Sequence, residues 1–225
     1  MSLSHPEPAI VPPPWTLTGR AYVMIYKWTG RYIAERVTLP PALGGRFRPS
    51  LGAMMLVDYD SSPVGPYREV LFIPGQFRIN QKKHWSVTQI LVDSAASRES
   101  GRANWAIPKE DGAFAWSPLS DGDDGDAIQV SYGGQAFLDV RFKVGRFRFP
   151  VNNWWYPVSI AQPADDSFYI TSIHASGTAS LAEISHIESH AAAGFPDVTR
   201  ANPFGVVHLS RFTVTLPAPK AVSAG

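Results

Sequence analysis

Proline and glycine punctuate this chain so often that no long regular helix has room to form. The 225 residues hold 20 prolines and 18 glycines, which recur between short runs along the chain. Proline lacks the backbone N–H, and it restricts the residue before it. Between these interruptions lie short β-prone runs: "RAYVMIYKW" (20–28), "GAMMLVDY" (52–59), "REVLFIPGQF" (68–77), "SVTQILVDS" (86–94) and "AIQVSY" (127–132). They continue with "AFLDVRFKVGRFRFPV" (136–151), "FYITSIHASGTASLAEISHI" (168–187) and "VVHLSRFTVTL" (206–216). Several alternate apolar and other residues, the period of a half-buried strand. Phe137, Leu138, Val140, Phe142 and Val144 carry the apolar set of one run, with Asp139, Arg141 and Lys143 between most of them. Many strands at short spacing predict a mainly β (β-rich α+β) fold: a single-domain antiparallel sandwich or barrel with a few short helices.

Two segments carry helical signals. Residues 32–43 predict one short helix before a Pro40–Pro41 stop, and residues 94–105 a turn or two with Ser94 as N-cap and a stop at Gly101. Residues 1–14 are proline-rich and read as a flexible tail, 15–219 as one β domain, and 220–225 as a C-terminal tail. No internal repeat is visible.

Charge narrows the function classes. Net charge is +1 and charged residues make up 17%, so neither nucleic acid nor a membrane surface is an expected partner. The N-terminus lacks the pattern of a signal peptide, and no apolar run is long enough to cross a bilayer as a helix. The expected location is cytoplasmic. Cysteine is absent, which removes disulfides and thiolate chemistry. The acidic turn "DGDDGD" (121–126) lacks the calcium-loop spacing. His186 and His190 lack the glutamate that a zinc-protease helix needs after its first histidine. No metal and no cofactor are therefore expected, and dinucleotide, P-loop and serine-hydrolase signatures are missing.

One lysine stands out. In "NWAIPKE" (104–110), Lys109 follows a tryptophan, an isoleucine and a proline. It either snorkels from a turn into water or sits in a dry pocket, where its neutral amine attacks carbonyl groups. Arg20 and Glu69, each at the start of an apolar run, read individually as solvent-facing residues.

Read together, "TGRAYVMIYK" (18–27), "SSPVGPYREVLFIPGQF" (61–77), "ILVDSAASRESGRANWAIPKE" (90–110) and "FPDVTRANPFGVVHLSRFTVTLPAP" (195–219) resemble the acetoacetate decarboxylase family. The "GR-x-x-W-x-x-PK" pattern is the most specific part. The resemblance implies a barrel-like single domain that assembles into homo-oligomers. It also implies a cofactor-independent lyase whose lysine forms a Schiff base with an oxo acid. Carried over by motif, the catalytic set is Lys109, Glu69 and Arg20. Lys109 captures the ketone, Glu69 moves protons, and Arg20 pairs with a carboxylate or orients Glu69. Trp105, Ile107 and Trp116 are the candidates for excluding water around the substrate. The simplest reaction is decarboxylation of a β-keto acid. Aldol or dehydration chemistry on another oxo acid with the same lysine is the alternative.

The family's second lysine is replaced here by Glu110. A carboxylate pointing into the pocket would hold Lys109 as the ammonium; one on the opposite side of a strand would not. Outside catalysis, the aromatic content suits a lipocalin-like binding protein for a hydrophobic ligand. A purely structural role is the remaining reading.

Overall fold

The computed structural model describes residues 8–120, 122–153 and 158–223. Among the described residues, fifteen strands form one mixed, mostly antiparallel sheet. In chain order they are β1 (Trp15–Lys27), β2 (Phe47–Arg48), β3 (Leu51–Ser61), β4 (Tyr67–Ile73), β5 (Gln76–Ile79), β6 (Lys82–Trp85), β7 (Gln89–Val92) and β8 (Lys109–Asp111). The remainder are β9 (Ala113–Pro118), β10 (Gly125–Tyr132), β11 (Gln135–Asn152), β12 (Val158–Ala164), β13 (Ser167–Ser189), β14 (Gly205–Leu216) and β15 (Lys220–Ser223). The main path runs β2-β5-β6-β12-β13-β14-β1-β3-β4-β7-β8, and the β9–β10–β11 meander joins it by pairing β11 with β13. Parallel pairing occurs where β7 meets β8 and where β12 meets β6.

Alternation along the strands sends side chains to two large cores. In β1, Trp15, Leu17 and Ala21 enter one core, while Tyr22, Met24 and Tyr26 enter the other. The first core is backed by Val57, Tyr59, Tyr67, Leu71, Ile90 and Phe212. The second is filled from the meander by Ile128, Val130, Phe137, Val140 and Phe142. A buried amide closes the wall between β12 and the segment entering β7. Gln162 accepts from Ser86 Oγ (2.6 Å) and the Val87 N–H (3.1 Å), and donates to the Val87 carbonyl (2.9 Å). Side-chain pairing thus continues the wall where the regular ladder stops.

Helix α1 (Gly30–Arg36) begins before the predicted segment because Thr29 caps it, its side chain accepting from the Tyr32 N–H. Pro41–Leu43 form a separate 3-10 turn. Helix α2 (Ala95–Trp105) is capped by Ser94 as expected, but it runs through Gly101. It stops at Ala106, whose N–H still bonds the Arg102 carbonyl and whose left-handed φ of 54° turns the Ile107 N–H onto the Gly101 carbonyl at 3.3 Å. Short strands were invisible to period counting: β6, β8, β9 and β12 carry too few alternations. Of the C-terminal segment read as a tail, Lys220–Ser223 pair with β13 as β15. At the other end, residues 1–7 lie outside the described residues. Val11 docks on α2, its N–H bonding Ser100 Oγ and its carbonyl accepting from Asn104. Among the described residues, no helix is long and apolar enough to cross a membrane.

Candidate active site

Three elements bring one lysine and one glutamate together. Lys109 opens β8, which pairs in parallel with β7. Glu69 lies on β4, the other neighbour of β7. Helix α2 crosses beside them, presenting Ser97, Gly101 and Trp105, spaced four apart and therefore on one face. Lys109 is 5% exposed and Glu69 4%. The Lys109 ammonium donates to Glu69 Oε2 (3.1 Å), Ser97 Oγ (2.8 Å) and the Tyr67 hydroxyl (3.4 Å). It thus has three partners for its three protons. Its nitrogen also lies 4.9 Å from the Tyr67 ring centre. The second Glu69 oxygen accepts from the Tyr59 hydroxyl at 2.9 Å.

Burial raises the pKa values of Tyr59 and Tyr67 well above the ordinary phenol value, and the neighbouring Glu69 carboxylate adds to it. Both therefore remain O–H groups, able to donate to the carboxylate. Gly101 sets how close the helix comes. A Cβ there would lie 2.8 Å from Lys109 Cδ and 2.9 Å from Cε, so only a hydrogen leaves room for the lysine stem.

This cluster borders a cavity of about 410 Å³. Odd-numbered residues of β3 and β4 face it: Met55, Val57 and Tyr59; Tyr67, Glu69, Leu71 and Ile73. Trp15 and Leu17 of β1, together with Phe212, Val214 and Leu216 of β14, continue the wall. Trp105 and Ile107, both expected to exclude water, also line it. Trp105 is fixed there by its indole N–H bond to the Pro217 carbonyl (2.8 Å) and its edge contact with Trp15.

Glu110 resolves by strand parity. It is exposed, on the opposite side of β8 from Lys109, and interacts with the Tyr132 hydroxyl, whose pKa it raises. It does not enter the cavity.

Two expected residues are not brought to Lys109. In the strand register, Ala21, Val57, Glu69 and Val92 form one row and Arg20, Asp58 and Arg68 the next. Adjacent rows face opposite sides of a sheet. Arg20 accordingly points away from the cavity, pairing with Asp58 and Asp126 at 3.1 Å each. Trp116 lies on that same far side, 5.1 Å from the Arg20 guanidinium, and does not line the cavity. Conversely, Ser97, Tyr59, Tyr67 and Gly101 contribute to the site although sequence reading passed over them. Tyr67 precedes Glu69 by two in a strand, and Gly101 follows Ser97 by four in a helix. Those spacings were the available signals.

Among the described residues, no group of three or more His, Asp or Glu side chains is placed to hold a metal.

The family model described as acetoacetate decarboxylase (ADC) matches residues 1–188. No curated protein matches the sequence. Solved structures share the fold. The acetoacetate decarboxylase of Legionella pneumophila subsp. pneumophila str. Philadelphia 1 superposes with a TM-score of 0.68 at 16% identity, covering 98% of this chain and 93% of that one. The enduracididine biosynthesis enzyme MppR complexed with pyruvate gives a TM-score of 0.67 at 16% identity, covering 96% and 92%. An acetoacetate decarboxylase-like enzyme from Sphingomonas wittichii RW1 gives 0.68 at 11% identity, covering 95% and 94%.

Proposed function

Because the chain belongs to the acetoacetate decarboxylase family, we propose that it is a cofactor-independent lyase in which Lys109 forms an imine with a keto acid. One observation carries this reading: a buried amine 3.1 Å from a buried carboxylate at the edge of an apolar cavity. Burying two ions is costly, and their pairing with the hydrogen bonds to Ser97 and from Tyr59 offsets that cost. Passing one proton from Nζ to Glu69 removes both charges and leaves the nucleophile. Tyr59 holds the far oxygen of Glu69, so the near oxygen keeps its aim at Nζ through the transfer. MppR was solved with pyruvate, which supports a keto group as the reacting function.

After attack, protonated Glu69 gives its proton to the departing hydroxyl, and the carbinolamine collapses to an iminium. That cation draws in the electron pair of a breaking C–C bond. Loss of carbon dioxide leaves an enamine, whose carbon then takes a proton. Water finally hydrolyses the iminium and returns the lysine. Ser97 holds Nζ in place at 2.8 Å in the free enzyme. Decarboxylation of a β-keto acid is the simplest reaction that uses every one of these groups. Retro-aldol cleavage would need only a different leaving fragment on the same iminium.

Oxygen exchange tests the route. Every turnover through an imine replaces the ketone oxygen with one from solvent. In heavy-oxygen water, the product ketone isolated faster than its spontaneous exchange should carry the solvent isotope. Retention of the substrate oxygen at full turnover would exclude Lys109 as the covalent catalyst.

A further inference from the structure

The Lys109 cavity is larger and more apolar than a four-carbon acid requires. Its volume is about 410 Å³. A dry cavity of about 150 Å³ accepts benzene, so this one has room for roughly 16 non-hydrogen atoms. Among the described lining residues, Glu69 and Lys109 are the only charged ones. The wall away from Lys109 is made by side chains such as Trp15, Leu17, Ile160, Ile173, Leu209 and Val214. An acetoacetate-sized ligand would leave more than half of this space without contacts.

The charge pattern constrains the acid group. Arg20 is committed to Asp58 and Asp126 on the other face of the sheet. Among the described residues, no guanidinium therefore meets a substrate carboxylate in the cavity. That carboxylate would have neutral polar neighbours at most, such as Asn153, Ser176 and the tyrosine hydroxyls, with Glu69 near and only the iminium for a counter-charge. Burying a poorly paired carboxylate is costly, and its departure as neutral carbon dioxide removes the cost. The arrangement thus favours an acid that leaves over one that must stay bound through the cycle.

Building on the imine reading, we infer that the substrate is a β-keto acid with an apolar chain, about ten to twelve carbons in all. It is converted to the matching methyl ketone. The balance is R–CO–CH2–COO⁻ plus one proton to R–CO–CH3 plus carbon dioxide. The C–C bond to the carboxylate breaks, its electron pair enters the iminium, and the proton ends on the former α-carbon. The water lost on forming the imine is recovered on hydrolysis.

The test is a series of straight-chain β-keto acids of roughly four to sixteen carbons, with carbon dioxide release and borohydride labelling of Lys109 followed in parallel. Each added methylene should raise kcat/KM about fourfold. That gives about 4,000-fold between acetoacetate and the ten-carbon acid, with a maximum at about ten to twelve carbons and a decline beyond. Ala175→Phe, which fills space in the cavity wall, should move the maximum to shorter chains. A profile that is flat or falls from acetoacetate onward, with Lys109 still labelled, overturns the chain-length inference and leaves the imine reading standing. So does an unmoved maximum in a folded Ala175→Phe enzyme. Labelling without carbon dioxide release at any length overturns the assignment to β-keto acids. Absence of both labelling and turnover at every length overturns the imine reading and this inference together.

Discussion

Replacing Gly101 with alanine separates what the site needs from what the fold needs. The new Cβ would sit 2.8 Å from Lys109 Cδ and 2.9 Å from Cε, against about 3.5–4.0 Å for comfortable carbon contacts. The lysine stem must therefore move by about 1 Å, and Nζ, one bond beyond Cε, moves with it. Its bonds to Glu69 and Ser97 are 3.1 and 2.8 Å, so such a shift breaks or misaligns at least one. The fold is affected less. Glycine to alanine inside a helix gains about 1 kcal/mol, and overpacking costs about 1–3 kcal/mol. The net change is between about zero and 2 kcal/mol of destabilisation, a Tm shift of at most about 8 °C for a chain of this size. Misplacing a reacting group by about 1 Å costs on the order of 10²-fold in rate. Calorimetry and the rate of borohydride trapping with a keto acid should therefore diverge: a nearly normal Tm beside a hundredfold slower label. A folded Gly101→Ala enzyme that labels at the wild-type rate would refute the claim that this glycine fixes the lysine.

Three further outcomes follow from the geometry. Arg20→Gln should leave kcat/KM within about threefold, because Arg20 is outside the cavity, yet lower stability by about 1–3 kcal/mol through the charged hydrogen bonds to Asp58 and buried Asp126. A hundredfold loss of activity at normal stability would put Arg20 back in the mechanism. Gln162→Leu should cost about 2–5 kcal/mol in urea unfolding, since the buried N–H and C=O of Val87 both lose their partner; an unchanged unfolding midpoint would show that the clamp does not hold the wall. Tyr59 and Tyr67 hold their protons well above the ordinary value when folded, so stability is complete below about pH 10, where unfolded tyrosine titrates, and falls as pH rises beyond it. In a double Tyr59→Phe/Tyr67→Phe variant that alkaline fall should shrink, as read from Tm against pH.

Much of the site was legible because chemistry-bearing residues sat in recognisable local patterns. The pattern ending at Lys109 located the lysine, and the run opening at Glu69 located the carboxylate. Trp105 and Ile107 followed from their adjacency. Arg20 failed for a reason internal to sheets: one step along a strand reverses the face. Motif spacing aligned the segment, but face parity depends on the pairing of β1 with β3, which no local pattern records. Trp116 failed the same way, since β9 was not recognised as a strand. Ser97, Tyr59 and Tyr67 carry no motif; the β3–β4–β7–β8 register and the packing of α2 on β8 bring them to Glu69 and Lys109. The helix boundary at Gly101 was misplaced because glycine most often ends a helix, whereas here the lysine stem occupies the space a side chain would take.

Peptide-level mass spectrometry after borohydride reduction is the most direct measurement of the central claim. Wild-type enzyme incubated with a β-keto acid should carry the reduced ketone on Lys109, and Lys109→Met should carry none under the same conditions. Unlabelled Lys109 across the chain-length series, or equal labelling of surface lysines in the Lys109→Met variant, would contradict the account.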